Sequence, residues 1–186
     1  MSKLMALVAA LILTATIGVC PPCSWGSEQE VIPFGIGKQN WRAFGKDAKS
    51  NLSWLQEQQN TIDKGVLEIG NMRKTFIDNG YPKDLQPMMI AKLKQVFEVR
   101  NGIANKTTEI YRGNVAHRYF LTSLDYATGV SCILCMSVAS AVAKSGDKDT
   151  AKSLYRDVIV NFDERTQRAC VKQAEFALED LKANAN

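Results

Sequence analysis

The 186-residue chain has a single histidine, His117, and aromatic residues make up only 8% of it. It contains no serine nucleophile elbow, no paired acidic motif and no His-Glu-x-x-His sequence, which are common signatures of hydrolases and metalloproteases. It also lacks a dense basic block, because 23 lysines and arginines are dispersed among 19 acidic residues, for a net charge of +4. These absences argue against nucleic acid as a partner and favour a non-enzymatic protein without a cofactor.

The N-terminal residues are typical of a cleavable signal peptide, residues 1–26. Lys3 supplies a positive charge, and residues 4–19 form an uncharged apolar run that is shorter than a membrane span of about 20 residues. Residues 24–26, Ser-Trp-Gly, match a small-x-small cleavage site. We therefore expect cleavage after Gly26 and an exported protein, periplasmic or secreted.

A lipid anchor is the alternative reading of this leader, because Cys20 closes the apolar run. Lipoprotein signals place a small residue before the modified cysteine, whereas Val19 precedes Cys20 here. Contact with a membrane is therefore expected only if Cys20 is lipidated or the leader stays uncleaved.

An irregular lead-in is expected over residues 27–46, where glycines and a proline interrupt any periodicity. Aromatic side chains are frequent in binding hot spots, so those in and just after this segment are candidates for contact with a partner. Packing over the helical core is the alternative. The four residues are Phe34, Trp41, Phe44 and Trp54.

Residues 47–186 have apolar residues at the three- and four-residue spacing of amphipathic helices, and no stretch predicts a strand. We therefore predict an all-α fold of antiparallel helical hairpins, stacked in a small bundle or a short repeat-like array. The first three helices are expected over residues 47–78, over residues 85–100, and from Thr107 or Thr108 toward Tyr126. An apolar stripe on the first helix could also join copies into a homo-oligomer: Leu55, Ile62, Ile69 and Phe76.

A stretch without charge covers residues 126–143, and its length is at the threshold for a transmembrane helix. Its serines and its glycine dilute the apolar character, so we predict a central helix that is buried by its neighbours. Two further helices are expected, one capped by Asp147 or Asp149 and the last over residues 164–182.

The C-terminal part has a pattern of small and aromatic residues within the 34 residues that start at Cys132. They are Ala139, Gly146, Ala151 and Tyr155. This pattern resembles a tetratricopeptide repeat over residues 132–184, although Asp163 stands where the family usually has proline. The resemblance implies hairpins whose surface holds a peptide or a partner protein, for example as an accessory of an envelope or secretion assembly.

Three cysteines remain after the expected cleavage: Cys132, Cys135 and Cys170. In the repeat-like arrangement Cys135 and Cys170 are 35 residues apart, close to one repeat length, so we expect a disulfide between them. Cys132 is then a small buried residue. The alternatives are a redox-active Cys-x-x-Cys pair or a zinc site that adds His117, either of which makes the chain an exported thiol-redox or metal-binding protein.

Overall fold

The computed structural model describes residues 43–183, and these residues form five helices and no strand. The predicted all-α class, with helices packed against their neighbours, is confirmed. The leader, Phe34 and Trp41 lie outside the described residues. The helices are α1 (Lys46–Asp78), α2 (Leu85–Glu109), α3 (Val115–Lys144), α4 (Lys148–Asn161) and α5 (Glu164–Ala183).

Local chemistry sets the turn between α1 and α2. Gly80 and Tyr81 both have positive φ, 71° and 64°. Glycine adopts this conformation without cost, but tyrosine does not. The backbone N–H of Tyr81 donates to the carbonyl of Phe76 at 2.8 Å, and the two rings meet edge to face at 5.3 Å. These contacts hold the tyrosine in place and reverse the chain after α1.

The turn into α4 is also set by a glycine with positive φ and by a local hydrogen bond. Gly146 has a φ of 93°, and the Asp147 carboxylate accepts a hydrogen bond from the backbone N–H of Thr150 at 3.1 Å. This side chain satisfies one of the free N–H groups at the helix start. The predicted cap at Asp147 is confirmed.

The predicted boundary between the second and third helices is wrong. The hydroxyls of Thr107 and Thr108 donate to carbonyls of the preceding turn of α2, so neither residue caps a new helix. Helix α2 continues past residue 102 because Ile103 and Thr107 are buried. The cap of α3 is Asn114, whose side chain accepts from the N–H of Ala116 at 2.9 Å.

Helix α3 is the centre of the fold and contacts each of the other four helices. Within residues 43–183 it is also the one helix that is long and apolar enough to cross a membrane, by length and composition. Its contacts with all its neighbours account for that composition, since an apolar helix can equally be the core of a helical bundle. The predicted central helix, residues 126–143, is thus observed, but it is continuous with the helix expected to end near Tyr126 and is not a separate element.

Helices α1 and α3 lie side by side and parallel. The hydroxyl of Ser123 donates to Gln59 at 2.9 Å, and that of Tyr126 donates to Asp63 at 2.9 Å. The two pairs are 64 and 63 residues apart, a nearly constant offset that only parallel helices give. Helix α5 packs on the other flank of α3. The three odd-numbered helices therefore form one layer.

Helices α2 and α4 form the second layer. The amide of Gln86 donates to Asp147 at 2.6 Å, and the guanidinium of Arg100 donates to the carbonyl of Asn161. Both pairs are 61 residues apart, so α2 and α4 are parallel to each other. Because they touch, and each also packs on α3, they cover the same side of the first layer.

Most apolar residues of α1 point between these layers. The stripe of Leu55, Ile62, Ile69 and Phe76 has 0% exposure, within two core clusters that both extend onto α3. The hypothesis that this stripe joins copies of the chain is therefore wrong, since the chain itself covers it.

Two glycines of α1 are expected to respond oppositely to alanine. A Cβ on Gly65 would lie 2.6 Å from Cγ2 of Val96 in α2, whereas one on Gly70 would meet nothing within 4 Å. We expect Gly65→Ala to lower the free energy of unfolding by about 1–2 kcal/mol through overpacking. Gly70→Ala should raise it by about 0.5–1 kcal/mol, because alanine favours the helix. Urea unfolding measures both, and shifts of the same sign would contradict the close contact of α1 with α2.

Candidate functional site

The side of the α1–α3–α5 layer that faces away from α2 and α4 has no covering element among the described residues. Three large apolar side chains are exposed there: Leu67 at 66%, Tyr126 at 46% and Ile133 at 66%. Tyr126 and Ile133 are seven residues apart on α3, which places them on one helix face. Leu67 lies one turn beyond Asp63, the partner of Tyr126. We call this surface the outer face.

A cavity of about 290 Å³ opens at one flank of the outer face, between α3 and the first turns of α5. Its volume is near the lower end of small-molecule pockets, about 300–1,000 Å³. Its lining joins apolar side chains of α3 to polar side chains of α5. The residues include Ile133, Met136, Gln167, Arg168, Cys170 and Gln173.

The cavity lies beside a break in α5. Gln167 has non-helical backbone angles, φ −123° and ψ 33°, so the first turn does not continue straight into the rest of the helix. Across from it, α3 has Gly129, where an added Cβ would come within 3.8 Å of the Gln167 amide. The kink therefore lies where polar side chains of α5 meet α3.

The predicted disulfide between Cys135 and Cys170 is wrong, because Cys132 is the partner of Cys170. The Cα atoms of Cys132 and Cys170 are 6.4 Å apart, and the bond joins α3 to α5 beside the cavity. Cys132 and Cys135 are about 60° apart around the axis of α3, so they lie on neighbouring parts of one side of the helix and still contact different helices. Cys132 faces α5, whereas the Cys135 thiol donates to the Leu154 carbonyl of α4 at 3.5 Å.

Cys135, the third cysteine within residues 43–183, is buried and free. Burial raises its pKa to about 12, with a further contribution from the negative charge of Asp157. The nucleophilic form of cysteine is the thiolate, so a thiol with this pKa is inert near neutral pH. Cys132 and Cys135 thus do not form a redox-active Cys-x-x-Cys pair, since Cys132 is bonded to Cys170.

We expect iodoacetamide at pH 8 to leave Cys135 unmodified in the folded protein. The thiolate population at a pKa of about 12 is about 10³-fold lower than that of a free cysteine with a pKa of about 8.5. Tandem mass spectrometry can locate the label on residue 135, and the same reaction in urea provides the positive control. Rapid labelling of Cys135 without urea would show that this thiol is accessible and ionised.

The zinc hypothesis also requires correction, because two of its four proposed ligands, Cys132 and Cys170, form the disulfide. No group of three or more potential ligand residues lies together within residues 43–183. His117 is half-buried in the first turn of α3, 15 residues before Cys132 on that helix. The positions of the four proposed zinc ligands in the sequence therefore did not predict that they lie apart in the structure.

Two of the four aromatic candidates fall in the described residues, and both pack on the protein. Phe44 and Trp54 are half-buried against the second core cluster, and the Trp54 ring stacks on Phe120 with centroids 5.9 Å apart. The alternative role of core packing therefore applies to these two. The exposed residues of the outer face were missed, because a single exposed apolar residue gives no signal in a helical pattern.

A second cavity, of about 430 Å³, lies where the two tight turns meet. Its acidic group is Asp147, and hydrogen bonds from Thr150, followed by one from Gln86, hold the pKa of this carboxyl below its usual value. Those bonds cap α4 and tie it to α2. Gln86, Ser145 and Asp147 in this cavity thus have structural partners, and we assign no site to it.

Comparison of the chain with protein-family models, with curated proteins and with solved structures gave no match. The geometry of the outer face and its cavity therefore provides the basis for a functional interpretation.

Proposed function

We propose that this chain is an exported, non-enzymatic helical protein that binds an extended peptide of a partner protein on its outer face. The observation that carries the proposal is the exposure of Leu67, Tyr126 and Ile133 on the α1–α3–α5 layer. The other side of this layer is already buried against α2 and α4. Apolar side chains that stay in solvent on a rigid helical surface are typical of binding sites.

The layered arrangement supports a peptide as the occupant. Alternating antiparallel helices, with the odd-numbered helices in one layer, are what the tetratricopeptide resemblance implies. In that family each hairpin packs only on its neighbours and leaves the surface of one set of helices for a peptide. Here that set corresponds to α1, α3 and α5.

The outer face also offers polar groups near its apolar side chains. Tyr126 and Asp63 form a hydrogen-bonded pair beside Leu67, and the α5 flank adds the side chains of Gln173 and Arg168. A peptide backbone needs hydrogen-bond partners where it leaves water, and apolar anchors supply most of the affinity. We therefore expect an extended segment with apolar anchors instead of a charged ligand.

Export belongs to the same proposal, and the leader in residues 1–26 supports it. The partner is then a component of an envelope or secretion assembly, which this protein serves as an accessory. The intact mass of the protein recovered from the exported fraction measures the cleavage site and any lipid together. We expect a chain that begins at residue 27 and has no added lipid.

A displayed library of random peptides, selected on the immobilised wild-type protein, tests the binding proposal. Ile133→Glu should weaken the selected peptides by at least about tenfold, since it places a charge among the apolar anchors. The matched control is Val160→Glu, because Val160 is 79% exposed on α4 in the other layer. Circular dichroism confirms that both variants fold. Peptides that bind wild type and Ile133→Glu equally, or no enrichment at all, would refute the proposal.

A further inference from the structure

The two cysteines of the disulfide differ in their exposure to solvent. Cys132 has 0% exposure, within the first core cluster. Cys170 is half-buried at the edge of the same cluster and lines the 290 Å³ cavity. A molecule that enters the cavity therefore meets Cys170 and cannot reach Cys132.

The cavity also has chemistry that suits a small anionic molecule. Arg168 contributes a positive charge to its lining, and Gln167, Gln173 and Thr166 contribute hydrogen-bonding groups. Attack by a thiolate on a disulfide spreads negative charge over three sulfur atoms, which a nearby guanidinium stabilises. A volume of about 290 Å³ admits a small molecule rather than a folded domain.

We propose that Cys170 is a modification site, at which a low-molecular-weight anionic thiol exchanges with the Cys132–Cys170 disulfide. The incoming thiol loses its proton, and its sulfur forms a bond to Sγ of Cys170. The bond between Cys170 and Cys132 breaks, and its electron pair goes to Sγ of Cys132, which takes up a proton. One thiol is consumed and one is released, so the step needs no oxidant or reductant besides the named thiol.

Burial of Cys132 sets the kinetics of this exchange. Its sulfur must leave as a thiolate in apolar surroundings, so the forward step is slower than at an exposed disulfide. The same surroundings keep the released Cys132 thiol neutral, so it attacks the adduct slowly. Cys135 does not take its place, because its thiol faces the Leu154 carbonyl of α4. The adduct on Cys170, once formed, therefore reverts slowly, and while it persists α5 has no covalent link to α3.

Incubation of the full chain with reduced glutathione tests the proposal. The reaction is stopped with acid, free thiols are labelled with N-ethylmaleimide under denaturing conditions, and tandem mass spectrometry locates both modifications. We expect glutathione on Cys170 and maleimide on Cys132. Glutathione on Cys132, or an equal distribution between the two residues, would overturn the proposal.

The route of the reaction is tested by its dependence on urea below the unfolding transition. Entry through the cavity predicts a rate that changes less than about twofold, because little surface is exposed in reaching it. A rate that rises by roughly tenfold for each molar of urea would show that global unfolding exposes the disulfide, and would also overturn the proposal.

The anionic class of the thiol is tested by removing the charge at the cavity. Arg168→Gln should slow the reaction with glutathione by about threefold at low ionic strength and leave that with neutral 2-mercaptoethanol unchanged. Arg165→Gln is the matched control, because Arg165 is exposed on the same turn and does not line the cavity. If Arg168→Gln slows the reactions with both thiols equally, or if both variants slow the reaction with glutathione equally, the charge of Arg168 does not select the thiol. Either result would exclude the anionic class.

Discussion

Loss of the Cys132–Cys170 disulfide is expected to lower the free energy of unfolding by about 4 kcal/mol. The bond joins residues 38 positions apart. Closing a loop of that size removes conformational entropy from the unfolded chain, which corresponds to about 4 kcal/mol at 25 °C. Cys170→Ser is the suitable variant, because Cys170 is the less buried partner and serine is of similar size.

Urea unfolding of wild type and Cys170→Ser, each with and without reductant, measures this effect. Reductant should destabilise wild type to the level of the variant and leave the variant itself unchanged, which separates the bond from any local effect of serine. A Cys170→Ser protein within about 1 kcal/mol of wild type would mean that the unfolded chain is not constrained by this loop.

Phe76→Ala should cost about 3–5 kcal/mol of folding free energy. The Phe76 side chain has 0% exposure at the end of α1, and its ring packs edge to face on Tyr81 in the turn. Alanine leaves a cavity that the surrounding helices cannot fill, so the lost transfer energy and the cavity both contribute. Loss of the ring also removes a contact that holds Tyr81 at positive φ.

The control for this substitution is Phe176→Ala, the same chemical change on α5 at a side chain that is 65% exposed. We expect it to alter stability by no more than about 0.5 kcal/mol. Thermal and urea unfolding of both variants measure the difference. Equal losses would show that Phe176 is covered in solution, and a negligible loss for Phe76→Ala would contradict the observed core.

The helix ends that could be predicted from the sequence are those where one or two residues determine the backbone. Gly80 after α1, and Gly146 with Asp147 before α4, act through their own conformations and side-chain hydrogen bonds. The end of α2 could not be predicted in this way. Residues 101–102, Asn-Gly, are a local stop signal, but burial of Ile103 and Thr107 extends the helix through them.

The candidate site was predicted less well than the fold. The sequence indicated that cysteines in the C-terminal half pair with each other, but it favoured Cys135, which is three residues from the actual partner of Cys170. The aromatic candidates Phe44 and Trp54 pack on the core. Whether an apolar side chain on a helix is buried depends on which neighbouring helix lies opposite it. The helical spacing of apolar residues is the same for buried and for exposed side chains, so the sequence pattern does not distinguish them.

Within residues 43–183, the amino-acid sequence by itself determined that the chain is helical, where four of the five helices begin and where two of the turns reverse the chain. Those properties depend on interactions between residues a few positions apart. Only the tertiary structure decided that Cys132 bonds to Cys170, that the long stripe of α1 is internal, and that Leu67, Tyr126 and Ile133 stay in solvent. These outcomes depend on the relative rotation of packed helices, which is set by contacts between residues far apart in the chain.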